Sequence, residues 1–160
     1  MRFLLVDRIL ELKSGESIRA VKNLSLAEEY LADHFPGFPV LPGVLMLETL
    51  VQTGGWLIRE AEQFQSSTIL LKQAKALKFN SFVTPGKSLI VQLTLKKREG
   101  QVWDFLGSGT IDGESAVSAR ISLEAFNLAD RNPDLQSSDD LRRSTSRDIF
   151  RQIWTPPAAA

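Results

Sequence analysis

The sequence has no cysteine, which removes disulfides, thiolate metal sites and a cysteine nucleophile together. It has one histidine, His34, so a zinc centre built on imidazoles is not expected either. Charge of one sign is also missing: 19 basic and 19 acidic residues leave a formal net charge of zero, without the global field that marks nucleic-acid binders. An anionic partner must be met by a local patch. No apolar run approaches the roughly 20 residues of a membrane span, and the leading Phe3-Leu-Leu-Val6 is cut by Asp7. The chain is expected to be soluble and cytoplasmic, with its chemistry left to His34, the carboxylates and the backbone.

What is present is an apolar fraction of 43% in 160 residues, enough for one core and short for two ordinary domains. One domain followed by a tail is expected. Residues 3–12 and 17–22 are rich in Leu, Ile and Val and flank Lys13-Ser14-Gly15-Glu16, which predicts an opening hairpin. Pro36, Pro39 and Pro42 then forbid a regular helix. Phe35, Phe38, Val40 and Leu41 in the same stretch predict an ordered loop, because a solvated linker has little use for such side chains.

From Gly43 to Ile58 apolar residues fall on nearly every helical face, which predicts a buried helix. Gly54 and Gly55 inside it each cost about 1 kcal/mol relative to alanine, so close packing is expected there, as a sheet wrapped around the helix would give. Four strand-like runs follow, at 68–79, 88–98, 101–111 and 115–126, separated by Thr84-Pro-Gly-Lys87, Glu99-Gly100 and the hairpin dipeptide Asp112-Gly113. Antiparallel strands after one buried helix predict an α+β architecture. Residues 127–160 turn polar and are expected to be a partly disordered tail, except for a short helix near 139–154, where Ile149, Phe150, Ile153 and Trp154 recur at helical spacing.

Three features carry chemistry together: a lone histidine in a stiff loop, a Pro-Gly at a helix start, and an acid one turn inside that helix. A helix beginning at Gly43 leaves its first N–H groups without intrahelical acceptors, and these can receive an oxyanion. Glu48 lies five residues further on among Leu47, Leu50 and Val51, where a carboxyl is expensive for a sequence selected for stability alone. Each feature also has a plain structural explanation, and the spacing leaves several enzyme classes open.

The segment His34-Phe-Pro-Gly-Phe-Pro-Val-Leu-Pro-Gly-Val-Leu-Met-Leu-Glu48, continuing to Gln52, closely resembles the signature of the 3-hydroxyacyl-[acyl-carrier-protein] dehydratases of bacterial fatty-acid synthesis, in the branch that uses a histidine and a glutamate. A related dehydratase/isomerase branch carries aspartate where Glu48 stands. Val6-Asp-Arg-Ile-Leu10 resembles the family's opening strand, Lys75-Ala-Leu-Lys-Phe79 with Val83-Thr-Pro-Gly86 resembles its strand and following turn, and residues 107–126 resemble its closing hairpin. The likeness covers roughly residues 1–126.

The resemblance implies a hotdog fold, one long central helix wrapped by an antiparallel sheet, for residues 1–126. It implies a homodimer with two active sites at its interface, assembling further as a trimer of dimers, and acyl carrier protein bearing a phosphopantetheine-linked chain as partner. By position, His34 is the general base on C2 of a 3-hydroxyacyl thioester, the Gly43 N–H holds the thioester carbonyl, and Glu48 of the partner chain acts on the departing hydroxyl. Val40 would orient the imidazole through its carbonyl and Gln52 the carboxyl, while Phe35 and Pro42 belong to the substrate-facing loop. No metal or redox cofactor is implied, since the thioester itself acidifies C2.

Two departures stand out. Asp33 replaces the glycine that usually precedes the histidine, and Phe79-Asn80-Ser81-Phe82 replaces an Arg-Arg that contributes to the basic rim for the carrier; Lys72, Lys75 and Lys78 are candidate substitutes. Competing readings are a hotdog hydratase or thioesterase acting on coenzyme A thioesters and a non-catalytic acyl-binding module. The intact His34, Gly43 and Glu48 argue against the thioesterase, and loss of His34 or Glu48 would have pointed to the module.

Overall fold

In the computed structural model, which describes residues 3–158, the period-two pattern of the strands and the long apolar run of the helix are resolved against each other. The first hairpin pairs β1 (Arg8–Lys13) with β2 (Ser17–Asn23). A 3₁₀ turn (Glu29–Ala32) and the proline-rich loop lead into α1 (Gly43–Ala61). Then follow β3 (Thr68–Phe79), β4 (Ser88–Glu99), β5 (Val102–Ile111) and β6 (Glu114–Phe126), closed by α2 (Gln136–Ile153). The strands form one six-stranded sheet in the order β1-β2-β4-β5-β6-β3, antiparallel throughout. This is the hotdog architecture.

The inner face of the sheet is written by alternation: Leu89, Val91 and Leu93 on β4, Trp103 and Phe105 on β5, and Val117, Ala119, Ile121 and Leu123 on β6 are all buried. They close on α1, whose Leu50, Leu57 and Ile58 are completely covered. At Gly54 the approach is so close that an added Cβ would lie 2.9 Å from Leu123 Cδ1 and 3.1 Å from Leu93 Cδ2. Gly55 is different from what the glycine pair suggests: its nearest neighbour is not the sheet but the Arg59 guanidinium, whose Nη1 would stand 3.0 Å from an added Cβ. The β5–β6 hairpin turns on Asp112 and Gly113, both at positive φ (51° and 83°), as a two-residue primed turn demands.

Residues beyond Phe126 are more regular than their composition suggests. Two short 3₁₀ turns, Leu128–Asp130 and Pro133–Leu135, lead into a helix of 18 residues. Its anchor is Asp139, fully buried, which accepts hydrogen bonds from the Ser67 hydroxyl and from the backbone N–H groups of Leu128 (2.9 Å) and Ala129 (2.8 Å). Burial pushes the Asp139 carboxyl up, but Ser67, the two N–H groups and the Arg143 charge outweigh it and hold the group below its ordinary value. Apolar contact completes the docking: Phe150 packs on Trp56 (6.0 Å between ring centres) and edge-on to Phe64 (5.4 Å), and Ile153 is buried. A polar composition hides such an anchor, because one buried carboxylate with satisfied hydrogen bonds does not alter an average.

Candidate functional site

The loop before α1 is built by its glycine and prolines. Phe35-Pro36-Gly37-Phe38 closes a turn in which the Phe38 N–H donates to the Phe35 carbonyl (2.9 Å), with Gly37 at φ +82°. That is the proline-then-glycine pattern of a type II turn. The return strand is tied back when the Val40 N–H donates to the His34 carbonyl (3.0 Å), and the loop is pinned to the β3–β4 connection by the Leu41 N–H on the Val83 carbonyl (2.9 Å). Val40, Leu41 and Val83 are buried, so the loop is rigid at its base while Phe35 and Phe38 stand exposed.

His34 sits within that frame, half-buried, with Nδ1 3.1 Å from the Val40 carbonyl and its ring stacked on Phe35 (4.2 Å). A carbonyl oxygen only accepts, so Nδ1 carries a proton and, in the neutral ring, Nε2 is the nitrogen with the lone pair. Asp33 is exposed and forms neither a hydrogen bond nor an ion pair with His34 among the described residues. Pro42 caps α1, its carbonyl accepting from Leu45 and Met46. The N–H groups of Gly43 and Val44 have no acceptor among the described residues, as the first turn of a helix dictates. Phe79, from the end of β3, covers Gly43 so closely that a Cβ there would stand 3.2 Å from its ring.

Glu48 lies in the second turn of α1 and lines a separate cavity. Its Oε1 accepts from Gln52 Nε2 (3.0 Å), and the same amide also donates to the Phe3 carbonyl (2.9 Å) while its oxygen accepts from the Leu5 N–H (2.9 Å). Gln52 is thereby locked by the N-terminal segment and in turn fixes the carboxyl. Glu48 and Gln52 line a cavity of about 250 Å³ with Leu4, Val51, Arg59 and Ile149, and His34 is not among its lining residues. The fold therefore groups His34, Phe35, Val40, Pro42 and Gly43 at one place, and Glu48 with Gln52 at another.

Three contributors to the Glu48 cavity escape sequence reasoning. Arg59 shares a helical stripe with Glu48, Gln52 and Gly55, spaced by four, three and four residues, a signal that period analysis could have found. Ser146 and Ile149 reach the Glu48 cavity from α2, and no local pattern announces a contact about a hundred residues away in sequence. Lys72, Lys75 and Lys78 are exposed on β3. The first two, with Lys96 and Arg120, line a larger cavity of about 820 Å³ on the outer face of the sheet, remote in character from the histidine and glutamate: none of the candidate site residues faces it. No group of metal-ligating side chains occurs among the described residues.

Comparison with known proteins bears on this geometry. A family model described as a FabA-like domain matches residues 1–120. The 3-hydroxyacyl-[acyl-carrier-protein] dehydratase FabZ of Oenococcus oeni is 41% identical over 116 residues, 72% of this chain and 84% of that protein. FabZ of Magnetococcus marinus is 38% identical over 121 residues, covering 74% and 79%. Among solved structures, a chain of the dehydratase heterocomplex ApeI:P from Xenorhabdus doucetiae superposes with a TM-score of 0.68 at 19% identity, over 83% of this chain and 90% of that one. The α2 helix lies beyond the residues that the family model matches.

Proposed function

Because the chain belongs to the FabA-like domain family, we propose that it dehydrates (3R)-3-hydroxyacyl thioesters on acyl carrier protein to trans-2-enoyl thioesters in fatty-acid biosynthesis, as its FabZ relatives are named for doing. The observation that carries the reading is the His34–Val40 hydrogen bond. In the neutral ring it puts the proton on Nδ1 and leaves Nε2 able to accept one, in a loop that leads into a helix whose Gly43 N–H has no acceptor among the described residues.

In this reading His34 Nε2 removes the C2 proton, a positioned step worth roughly a hundred- to ten-thousand-fold. The negative charge that builds on the thioester oxygen is received by the Gly43 N–H, a donor worth about 3 kcal/mol. The C2–H electron pair becomes the C2=C3 bond as the C3–O bond breaks. Glu48 delivers the proton with which the hydroxyl leaves as water, and Gln52 holds that carboxyl in position. Phe35 and Pro42 shape the entrance. Protons held by His34 and Glu48 are reset from solvent between turnovers.

The site is formed by two protomers, with His34 of one facing Glu48 of the other. Three features support this. Glu48 lies in a cavity that His34 does not line. The 12-residue β3 ends the sheet with an unpaired edge, which proteins normally cover. Phe35, Phe38, Phe79, Phe82 and Val44 form an exposed apolar patch around the helix start, Val44 being 70% exposed, and a patch of this kind marks an association surface. The acidic carrier would be met by local cations, Lys72, Lys75 and Lys78 among them.

The test is hydration of a crotonyl thioester followed by loss of enoyl absorbance, on carrier protein and on coenzyme A side by side. His34→Ala and Glu48→Ala are each expected to abolish turnover, and mixing the two inactive variants is expected to restore part of it, because a hybrid dimer regains one complete site. Undiminished turnover in both single variants would refute the roles, and failure of mixed, exchanged dimers to recover would refute the shared site.

A further inference from the structure

Arg59 is an unusual residue to find at the back of an apolar cavity. Its guanidinium lies over Gly55, against the face of Trp56 (5.2 Å to the ring centre). Its Nε is buried without a hydrogen-bond partner, and it forms no ion pair among the described residues. Burial pushes it down to about 10, which leaves it charged at neutral pH. A largely covered cation without an anion is costly.

Arg59 lines the same cavity as Glu48, together with Leu4, Val51, Ile69 and Ile149, side chains that suit methylene groups. The Arg59 guanidinium folds back over Gly55, which lies seven residues beyond Glu48, or about 10 Å along α1. Arg59 also lines a second cavity, of about 440 Å³, with Arg142, Ser138, Thr145 and Ser67. The two cavities share Arg59, Ser146 and Ile149. Among the described residues lining either one, Glu48 is the sole carboxylate. Asp139, nearby, is already satisfied by Ser67 and two backbone N–H groups.

We propose that the paired cavities form the acyl-binding groove of this protein and that it accepts chains ending in a carboxylate, which Arg59 and Arg142 receive while Glu48 acts at the thioester end. The inference rests on the dehydratase reading and adds a substrate class to it. The apolar middle takes the methylenes and the hydroxyls of α2 solvate the remaining lone pairs. α2, which lies outside the family-matched residues, supplies one wall of the groove and so makes the specificity a property of this chain.

The experiment compares carrier-bound enoyl thioesters of equal medium length ending in methyl or in carboxylate, with crotonyl thioester as a chain too short to reach Arg59. The wild-type protein is expected to favour the carboxylate-ended chain in kcat/KM by about tenfold or more, the scale of a charged hydrogen-bonded pair. Arg59→Met is expected to abolish that preference. Arg142→Gln, a change at an exposed position that does not threaten folding, is expected to reduce it several-fold, through KM more than kcat. A wild-type preference for the methyl-ended chain, or a loss in Arg142→Gln that is as large on crotonyl thioester as on the carboxylate-ended one, would overturn the proposal while leaving the dehydratase reading intact. No turnover of crotonyl thioester by the wild-type protein would overturn both.

Discussion

Adjacent glycines in α1 provide a sharp test of how the sheet and helix are packed, because alanine should act in opposite directions at the two. At Gly54 a Cβ would stand 2.9 Å from Leu123 Cδ1, 3.1 Å from Leu93 Cδ2 and 3.6 Å from Phe105 Cε2. All three side chains are buried at 2% exposure or less, so none has free space to yield into, and overpacking of this kind costs about 1–3 kcal/mol. Alanine returns about 1 kcal/mol of helix propensity, leaving Gly54→Ala neutral to about 2 kcal/mol less stable. At Gly55 the near atom is Arg59 Nη1 at 3.0 Å, and Ile69 is no closer than 3.9 Å. The end of a flexible side chain can move, so Gly55→Ala keeps most of the propensity gain and is neutral to about 1 kcal/mol more stable. At this chain length each kcal/mol moves Tm by about 2–4 °C. Thermal and urea unfolding should be read at one protomer concentration, because association would otherwise shift both midpoints. If Gly54→Ala equals or exceeds Gly55→Ala in stability, the close packing of Leu93 and Leu123 on the helix is wrong.

Two further outcomes follow from the hydrogen bonds. Gln52→Leu removes three of them, at a net cost of about 0.5–1.5 kcal/mol each, and frees the Glu48 carboxyl; kcat on crotonyl thioester is expected to fall about tenfold or more with KM little changed. An unchanged kcat would show that Gln52 does not position Glu48. Asp139→Ala should undock α2, read as a change in Trp56 emission. Because the Asp139 carboxyl is held below its ordinary value in the folded protein, its contribution is complete above the unfolded value of about 4 and is lost as pH falls through the lower folded value; the variant should therefore lose less stability than the wild type on acidification, and coincident acid-unfolding curves would contradict the role given to this residue.

The strands were legible because each has one buried face. Along β4, β5 and β6 the period-two alternation survives without interruption at Leu89, Val91 and Leu93, at Trp103 and Phe105, and at Val117 through Leu123, and turn dipeptides mark the ends. The helix was legible from its long apolar run, although α1 is not covered all round: Val44 is 70% exposed and Glu48, Gln52 and Arg59 are only partly covered. The order of the strands was not: placing β3 beyond β6, at the sheet edge, depends on pairing between residues such as Thr68 and Phe126, for which no local pattern exists. The extent of α2 was hidden as well. Asp139 looks like any surface acid in the sequence, and only the chain reversal that brings Ser67, Leu128 and Ala129 around it makes it an anchor.

The same distinction separates the two halves of the candidate site. The histidine half is local: His34, Val40 and Gly43 lie within ten residues, held by a turn that Pro36 and Gly37 impose and by bonds between His34 and Val40. The glutamate half is assembled from three distant segments, with Phe3 and Leu5 locking Gln52, α1 presenting Glu48, and α2 supplying Ser146 and Ile149. A local half can be inherited as a motif and changes little when the rest of the chain drifts. A half assembled from distant segments changes whenever any one of them changes, and α2 is a segment beyond the family-matched residues. Reaction chemistry should therefore follow the histidine loop, whereas the choice of acyl chain should follow the walls around Glu48 and Arg59.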